Sequence, residues 1–532
     1  MIRLQSADGK LFVDASPRDT KNIKLIAGSR YRKDRDVWEC PLNLATFTAI
    51  RKMYGMNLNV AESALRAEKK LEHSAHLQEV ARKDYSVIAK EPRLYSFQNA
   101  GVRFLGKGKQ VLLADEMGTG KTVQALTTLE LANAFPALIV CTNSMKHKWA
   151  EEVQTWTSAT PVVVEGTASK RRKLIASCQE LDKFVVVINY ESLRLHSKLG
   201  SFGNTVTSAE ESKTKELNEI DFVTVIADEV HKAKEPKAKQ TRALWGVSKG
   251  ATYRFGLTGT PIMNNPDDLW SIMHFVCPDE WLSRSRFRQR YCHVSAGWHG
   301  GLENLGLIKQ RIPELDVFLQ PRMIRRTKAE VLPDLPEKTF DTRRIPMTSK
   351  QAKSYKQMVE YMIAEVENGL LMAADPLSAL GRLRYFASAF VEFGTHNDDI
   401  SMRTPSNKLM ALKDILEEGG TPLVVYAESR RLIEFLDREL SELYKTGLLT
   451  GKVLPQQRKT NIDAFQDGKL DILLATTGAG AEGITLTAAN RLVVAQESWS
   501  NTANKQAHDR IHRIGQERNV QIITLISEDT VD

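Results

Sequence analysis

The stretch VLLADEMGTGKT, residues 111–122, decides the fold of this chain. It begins with an apolar run, passes through a turn that holds two glycines, and continues into residues with helical periodicity. A strand, a glycine-bearing loop and a helix in this order form the context of a phosphate-binding P-loop. Further along, the run VTVIADEVH, residues 223–231, carries a β-branched strand into two adjacent acids. Together the two stretches predict an α/β fold with a nucleoside triphosphate bound at the ends of its strands.

The loop offers several kinds of phosphate contact. Gly118 and Gly120 let backbone N–H groups point at phosphate oxygens, with a helix N-terminus behind them. Lys121 is expected to reach the β- and γ-phosphates, and the Thr122 hydroxyl to bind Mg²⁺. The usual pattern has glycine at position 115, where this chain has Asp115. The alternative is a chance GTGKT in a solvated turn, which the flanking strand and helix disfavour. The residues predicted to bind the nucleotide in this loop are Asp115, Glu116, Met117, Gly118, Thr119, Gly120, Lys121 and Thr122.

The two acids that end the second stretch predict the catalytic half of such a site. Asp228 is expected to hold the Mg²⁺ shell. Glu229 is expected to be the general base that polarises the attacking water. The alternative is a pair of acids on an exposed loop. Because unpaired buried charge is costly, adjacent acids at the end of a buried strand favour a cation opposite them.

Composition places the chain among ordinary globular proteins. Its 532 residues, 26% charged and 42% hydrophobic, are enough for about three domains. Lysine and arginine exceed aspartate and glutamate, and the net charge of +9 is compatible with a polyanionic partner. No apolar run has the length of a membrane-spanning helix, so we expect no membrane association. The five cysteines lack C-x-x-C spacing, which argues against zinc or a disulfide framework and favours a reducing, intracellular setting.

Upstream of the P-loop, the segment LYSFQNAGVRFL contains a candidate for base recognition. Gln98 is placed to contact an adenine edge through its amide, although a lone glutamine is usually a surface residue. After the P-loop helix, Trp149 and Trp156 lie seven residues apart in a second helical segment. We predict that these two indoles pack in the core.

Two polar strand ends are candidates for contact with a nucleic acid backbone or for sensing the nucleotide. A basic turn after an apolar strand suits phosphodiester contacts through Thr142, Asn143, Ser144, Lys146 and Lys148. Thr258 and Thr260 follow another strand, where their hydroxyls are expected to sense the nucleotide state.

The segment QAHDRIHRIGQ, residues 506–516, brings two arginines together. Arg510 and Arg513 are three residues apart, which on a helix places them on one face, where both can meet a γ-phosphate. Guanidinium groups suit the charge that develops there during phosphoryl transfer. The alternative for this segment in isolation is a basic surface helix.

Taken in order, the motifs resemble one known series. FQNAGVRFL, DEMGTGKT, LIVCTNSMKHKW, DEVH, LTGTPIMNNPDDLW, RRTKAEVLPDLPEK, TTGAGAEGITLTAAN and QAHDRIHRIGQ resemble the motifs of superfamily-two helicase-like ATPases. They look most like the Swi/Snf-related branch, in which DEMGxGKT is the usual form of the P-loop, so that Asp115 is no longer an anomaly. The resemblance runs from about residue 92 to the end. The short insertion segments favour a compact prokaryotic or viral-type member.

The resemblance implies an α/β fold of two RecA-like lobes of the P-loop NTPase type, each a parallel sheet flanked by helices. ATP with Mg²⁺ would lie in the cleft, and DNA would run across both lobes. Gln98 would contact adenine, and Arg510 and Arg513 would be arginine fingers from the second lobe. The residues implied to couple the nucleotide to DNA are His231, Thr258, Thr260, Thr476 and Gly480. Duplex or forked DNA is the expected partner, and a monomer is the expected state. The expected location is the cytoplasm or nucleoid, the host cytoplasm for a viral protein, or the nucleus for a eukaryotic one.

The domain boundaries follow from the same motifs. We predict a small α+β module over 1–58, a charged helical linker over 59–91 and the first lobe over 92–275. Helical insertions and the inter-lobe linker would cover 276–400, and the second lobe 401–532. The module faintly resembles accessory modules of annealing-type members, the HepA-related motif. Its basic and aromatic residues could bind DNA, or they could form a solvated hairpin packed through Trp38; these residues are Arg30, Tyr31, Arg32, Lys33, Arg35 and Trp38.

Three functions compete at this point. The first is an ATP-driven translocase on double-stranded DNA that remodels DNA or bound proteins. The second is a helicase that separates strands in replication, repair or recombination. The third is a non-catalytic DNA-binding scaffold, against which the intact Lys121, Asp228 and Glu229 argue.

Overall fold

The computed structural model describes residues 2–15, 20–26, 28–83, 91–203, 208–260, 266–296, 302–361, 363–366, 369–372, 376–393, 400–480 and 483–532. The chain forms two compact units, Met1–Val331 and Leu332–Asp532. Each unit is described by itself below. Among the described residues, no helix combines the length and the apolar character that crossing a membrane requires.

The first unit begins with a small mixed module. Its strands form a sheet in the order β3-β4-β2-β1-β5, in which only β1 and β5 run parallel. Alternate residues Leu4, Leu11 and Val13 point inward with Trp38 and Phe47, as expected of strands with one buried face. The predicted α+β module is therefore confirmed. Its elements are β1 (Ile2–Ala7), β2 (Lys10–Asp14), α1 (Thr20–Ile23), β3 (Arg30–Arg32), β4 (Val37–Pro41), α2 (Leu44–Tyr54), β5 (Leu58–Val60) and α3 (Glu62–Lys83).

A seven-stranded parallel sheet forms the centre of the first unit, in the order β14-β6-β11-β10-β7-β9-β8. The strands of this unit are β6 (Gln110–Leu113), β7 (Ala137–Cys141), β8 (Thr160–Val163), β9 (Phe184–Asn189), β10 (Thr224–Asp228), β11 (Tyr253–Leu257), β12 (Cys292–Ala296), β13 (Leu302–Leu307) and β14 (Met323–Ile324). The pair β12–β13 forms a separate antiparallel hairpin.

Helices cover this sheet on both faces. Leu112, Leu138 and Val186 belong to the core on one face, and Ile139 and Val187 to the core on the other. Continuous apolar strands are what a parallel sheet that is buried on both faces requires. The helices are α4 (Ser96–Gly108), α5 (Lys121–Ala132), α6 (Lys146–Trp156), α7 (Ala168–Ser177), α8 (Tyr190–His196), α9 (Ala209–Ser212), α10 (Lys239–Val247), α11 (Asp267–Val276), α12 (Arg284–Tyr291), α13 (Ile312–Leu319) and α14 (Lys328–Val331).

The N-terminal module is part of the first unit, and its helix α2 packs against α13. Arg286 Nη1 on α12 donates to the carbonyl of Ser29 at 2.6 Å and to its hydroxyl at 3.0 Å. Arg30 lies 3.8 Å from Asp279 in an ion pair that is largely exposed. The exposed hairpin β3–β4 is only partly available to an anion, since Arg32 pairs with both Asp34 and Glu39.

The second unit repeats the parallel design with six strands in the order β15-β24-β23-β20-β22-β21. Its strands are β15 (Lys338–Ile345), β16 (Ile363–Val366), β17 (Gly369–Met372), β18 (Phe390–Phe393), β19 (Ile400–Arg403), β20 (Leu423–Ala427), β21 (Thr446–Leu449), β22 (Ile472–Thr476), β23 (Arg491–Gln496) and β24 (Val520–Ser527). Its helices are α15 (Ser349–Tyr361), α16 (Pro376–Ser388), α17 (Asn407–Gly419), α18 (Arg430–Leu440), α19 (Pro455–Gln466), α20 (Thr477–Gly480) and α21 (Asn501–His508). The predicted fold class, two parallel sheets flanked by helices after a small α+β module, is confirmed.

The sequence predicts helical insertions and the inter-lobe linker over 276–400. The described residues of this segment have a different structure. It contains the hairpins β12–β13 and β16–β17 besides helices, and it supplies an edge strand to each large sheet. The two-residue strand β14 pairs with Leu112 and Leu113 of β6, so the first lobe does not end at 275. Strand β15 belongs to the second sheet although it precedes 401. Such edge strands are missed because β14 is too short and β15 too polar to give an apolar pattern.

Candidate nucleotide site

The P-loop connects the end of β6 to the start of α5. Gly118 and Gly120 both have φ near +80°, in the left-handed region that glycine adopts without strain. A Cβ added at Gly120 would also lie 2.4 Å from Nε2 of Gln98. Glycine is therefore required at position 120 both by the backbone conformation and by the close approach of α4.

The side chains of the loop hold its shape from within. Lys121 Nζ donates to the carbonyls of Asp115 at 2.9 Å and Glu116 at 3.2 Å. The Thr119 hydroxyl donates to the carbonyl of Glu116 at 2.8 Å. Thr122, one residue into α5, is half-buried. A bound phosphate would replace the two carbonyls as the acceptor of the Lys121 ammonium. The predicted phosphate contacts of Lys121 and Thr122 stay predictions.

Gln98 is buried between its own helix and the P-loop. Its Oε1 accepts from the backbone N–H of Tyr95 at 3.0 Å, which caps α4. Its Nε2 donates to the carbonyl of Thr119 at 3.0 Å. The amide thus contacts the P-loop directly, and its predicted contact with adenine stays a prediction.

Asp115 has a different place from the one predicted. Its carboxylate is fully buried and accepts two bonds from Arg326, with Nε at 3.0 Å from Oδ1. Gln124 of α5 lies beside this pair, with Nε2 at 3.4 Å from Oδ2 of Asp115. The prediction that this side chain binds the nucleotide is therefore corrected. A buried carboxylate needs a cationic partner, and Arg326 supplies it, so Asp115 anchors the loop instead.

Asp228 ends β10 and is surrounded by hydrogen-bond donors. Trp149 Nε1 donates to Oδ2 at 2.8 Å, and the N–H of Glu229 donates to Oδ1 at 3.0 Å. The Tyr190 hydroxyl donates to the Asp228 carbonyl at 2.7 Å. Burial, and then the charge of Glu229, raise the pKa of Asp228 from 3.8 to about 6, against the smaller lowering by Trp149 and Lys121. Two carboxylates at a buried strand end thus favour a cation, and this position fits a magnesium ion.

Glu229 is connected through His231 to the next strand. Its backbone adopts φ 46° and ψ 50°, a left-handed conformation that is uncommon outside glycine and concentrates at functional sites. Oε2 of Glu229 lies 3.2 Å from Nδ1 of His231, and the same nitrogen lies 3.2 Å from the Thr258 hydroxyl. That hydroxyl accepts from the N–H of Thr260 at 3.1 Å. His231 and Thr258 are buried, so their position suits coupling between strand ends and excludes direct contact with DNA.

The predicted phosphodiester contacts after β7 are only partly accessible. Asn143 is exposed, and the Thr142 hydroxyl lies 3.2 Å from that of Ser144. Lys146, in contrast, is 7% exposed, and its Nζ donates to the carbonyl of Val164 at 3.3 Å. The prediction for Lys146 is wrong, because its ammonium is committed to a backbone carbonyl inside the fold.

In the second unit, the two predicted coupling residues lie at the end of β22. The Thr476 hydroxyl accepts from the N–H of Ala479 at 3.4 Å. Gly480 closes α20, where a Cβ would lie 1.9 Å from the ring of Tyr426. The hydroxyl of Tyr426 donates to the Gly480 carbonyl at 3.2 Å. Packing against Tyr426 is thus the local reason for glycine at this position.

Arg510 and Arg513 are not on a helix. Helix α21 ends at His508, and both arginines lie in the turns that follow. The carbonyl of Arg510 accepts from the N–H of Leu486 at 2.9 Å. Arg513 Nη1 donates to the carbonyl of Ile484 at 3.1 Å. The prediction that a shared helix face aligns the two side chains is therefore wrong, and these bonds to the segment after α20 fix the turns instead.

Two polar side chains hold this turn segment in place. Gln516 Nε2 donates to the carbonyls of Ala489 at 2.8 Å and Ile511 at 2.9 Å. His512 Nε2 lies 2.8 Å from the carbonyl of Pro336. The LPDLPEK and HRIGQ pieces that carry the resemblance therefore meet within the second unit.

Several residues that support the loop and the two acids, Asp228 and Glu229, are not predicted by the sequence. Arg326 lies in the RRTKAEVLP piece, which contributes to the family resemblance but suggests no role for this arginine. Trp149 is buried as predicted, but its polar contact with Asp228 was not foreseen. Tyr190 and Gln124 carry no local signal in the sequence.

Comparison with known proteins finds two family models that match this chain. A model described as the SNF2-related domain matches residues 97–388, and one described as the helicase conserved C-terminal domain matches residues 407–515. A similar structure is the Sulfolobus solfataricus SWI2/SNF2 ATPase core in complex with dsDNA, at 25% identity and a TM-score of 0.39. That match covers 81% of this chain and 87% of the other.

Curated relatives are longer than this chain. The CHD3-type chromatin-remodeling factor PICKLE of Arabidopsis thaliana is 26% identical over 94% of this chain and 37% of its own length. Chromodomain-helicase-DNA-binding protein 7 of Homo sapiens is 28% identical over 83% of this chain and 15% of its own length. The chain thus spans well under half of these relatives.

The predicted branch is confirmed by the two domain matches. Because the first of them alone covers more than half of the sequence, the chain belongs to the SNF2-related family, and its enzyme class is that of the helicase-like ATP hydrolases.

Proposed function

We propose that this protein is a translocase that hydrolyses ATP to move along double-stranded or forked DNA. The observation that carries the proposal is the convergence of Lys121, Asp228 and Glu229 at the carboxyl edge of the seven-stranded sheet, where the P-loop follows β6 and the two acids stand at the end of β10. Ligands of open parallel sheets bind at this edge. The family match supports ATP hydrolysis at this edge of the sheet. The names of several relatives state that those proteins bind DNA.

Within the site, each group has a distinct task. The P-loop N–H groups and Lys121 would hold the β- and γ-phosphates. Glu229 would accept a proton from the water that attacks the γ-phosphorus, while ADP leaves with the electrons of the broken bond. Thr122 and Asp228 would hold Mg²⁺, which neutralises phosphate charge when it is bound. The raised pKa of Asp228 supports a cation at this position.

Arg510 and Arg513 are proposed to be arginine fingers, because guanidinium groups suit the charge that builds up on the γ-phosphate during transfer. The link from Glu229 through His231 to Thr258 would report the nucleotide state to the neighbouring strand end.

DNA is proposed to contact the exposed turn after β7. Thr142 and Asn143 have the polar groups that suit a phosphate backbone. With Lys146 buried, an exposed ammonium close to this turn in the sequence is that of Lys148 in α6, which pairs with Glu152 at 3.1 Å. The net charge of +9 favours a polyanion, and such contacts should weaken as salt rises. An enzyme that acts on DNA would work inside the cell, and a monomer suffices for this mechanism.

The competing proposal is a helicase that separates strands. A triplex-displacement assay run beside a strand-displacement assay distinguishes the two. A translocase displaces the third strand of a triplex without unwinding the duplex, whereas unwinding without triplex displacement would contradict the translocase.

A further inference from the structure

Arg326 makes a dense set of contacts around the P-loop. Its side chain is 5% exposed and its guanidinium forms a two-pronged ion pair with the carboxylate of Asp115. Nη2 donates to Oε1 of Gln124 at 2.9 Å, and Nη1 donates to the carbonyl of Phe97 at 2.5 Å. The guanidinium carbon also lies 5.3 Å from the centre of the Phe97 ring. One side chain thus joins the loop to the helices on either side of it.

These partners belong to three parts of the candidate site. Asp115 opens the loop, and its carbonyl accepts from Lys121. Gln124 belongs to α5 and donates to the carbonyl of Gly120 at 3.3 Å. Phe97 precedes Gln98 in α4. The guanidinium group of arginine is rigid and planar, so it fixes the positions of its acceptors relative to one another. The flexible lysine ammonium does not.

The backbone around Arg326 reinforces the same loop. The N–H of Ala114 donates to the carbonyl of Ile324 at 2.7 Å, and the N–H of Glu116 donates to that of Arg326 at 2.9 Å. The N–H of Lys328 donates to Oε2 of Glu116 at 2.8 Å. The chain from β14 into α14 therefore runs beside the P-loop residue by residue.

Gly101 of α4 leaves room for this cluster. A Cβ at this position would lie 1.8 Å from Oε1 of Gln124 and 3.0 Å from Nη2 of Arg326. The helix therefore has no side chain where the guanidinium and the amide meet.

We propose that Arg326 is a positioning residue for nucleotide binding, which holds the P-loop, α5 and the Gln98 helix in the arrangement that receives the phosphates. This inference rests on the proposed ATPase site. Arg326 acts through Asp115 and Gln124, so its loss should weaken nucleotide affinity more than it slows the chemical step.

Arg322 provides a matched control in the same segment. It pairs with Glu280, with Nη2 at 2.7 Å from Oε1, and donates to the carbonyl of Gly108 at 3.2 Å. Arg322 also donates to the carbonyl of Gln110 at 3.5 Å, so it is a partly buried arginine with one carboxylate and two carbonyl partners, all of which lie outside the P-loop.

The test compares the affinity for ADP, measured by titration calorimetry at constant magnesium, in wild type, R326K, D115N and R322K. We expect R326K to raise Kd for ADP, and KM for ATP, about tenfold with kcat changed less than about threefold. D115N, which keeps the shape of the side chain, should raise Kd about threefold or more. R322K should lower the thermal midpoint by a similar amount to R326K while it leaves Kd within about twofold.

A Kd for R326K equal to that of R322K would overturn the inference. If R326K does not fold, D115N decides, and an unchanged Kd for D115N overturns the inference as well. Failure of the wild type to bind ADP would instead contradict the proposed function, so the two failures are distinguishable.

Discussion

Trp149 donates its indole N–H to Oδ2 of Asp228 at 2.8 Å, which joins helix α6 to the strand end that carries the predicted metal-binding acid. Helix α6 begins directly after the exposed turn proposed to contact DNA. The same indole packs in the core and orients the carboxylate that we propose holds Mg²⁺. A change at the turn proposed to contact DNA therefore has a short physical route to the candidate nucleotide site.

The substitution W149F tests this bond, and W156F on the same helix is its matched control. The indole N–H of Trp156 donates at 3.1 Å to Glu152, rather than to Asp228. A hydrogen bond to a charged group contributes about 1.5–3 kcal/mol, so we expect W149F to lower kcat/KM for ATP at limiting magnesium roughly tenfold or more. Equal losses in W149F and W156F would show that Trp149 acts by packing alone.

Glu229 is expected to be the general base. The substitution E229Q should lower kcat about 10²- to 10⁴-fold while ADP binding persists, because the amide cannot accept the proton of the water. The exposed Glu235 provides a control, and E235Q should leave turnover unchanged. ATP turnover that E229Q leaves intact would remove Glu229 from the mechanism.

The pKa of Asp228 predicts the acid limit of metal-dependent nucleotide binding. Burial, and then the charge of Glu229, raise this pKa from 3.8 to about 6. The carboxylate binds the cation only when it is ionised, so binding should be full above that pH and decline as pH falls through it. Raising the magnesium concentration should move the midpoint lower, because metal and proton compete. Calorimetry of ADP binding between about pH 5 and 8 measures this shift, and a midpoint that magnesium does not move would contradict it.

The two arginines of the second unit should affect turnover rather than folding. We expect R510K and R513K each to lower kcat by about 10³-fold with little change in ADP affinity, since lysine cannot reproduce the forked contact. The control is R518K, because Arg518 also donates to a backbone carbonyl, that of Ala488, but lies on the surface. An equal loss in R518K would assign the effect to the local backbone bonds.

Local patterns in the sequence account for most of the fold and for the loop and acids of the site. The β-branched apolar runs of β7, β9 and β10 are buried on both faces, and a continuous apolar strand is a strong local signal. The pair of Asp115 and Arg326 lies outside such reasoning because 211 residues separate its members. The prediction of a phosphate contact for Lys146 failed for the same reason. Nothing in the local sequence shows that its ammonium donates to the carbonyl of Val164.

The end of α21 shows how tertiary contacts override helical propensity. The segment QAHDRIHR has no residue that stops a helix, yet the helix ends at His508. Asp509 pairs with Lys338 at 3.3 Å, and the carbonyl of Arg510 accepts from Leu486. These partners lie in distant segments of the chain. A prediction from helical propensity alone therefore extends the helix beyond its actual end.

We propose that ATP hydrolysis by this chain serves movement on DNA. The most direct test is the ATPase rate without nucleic acid and with single-stranded DNA, duplex DNA, forked DNA or RNA, each at two salt concentrations. We predict strong stimulation by duplex or forked DNA that declines as salt rises, because phosphate contacts release counterions. A rate that no DNA changes would contradict the account.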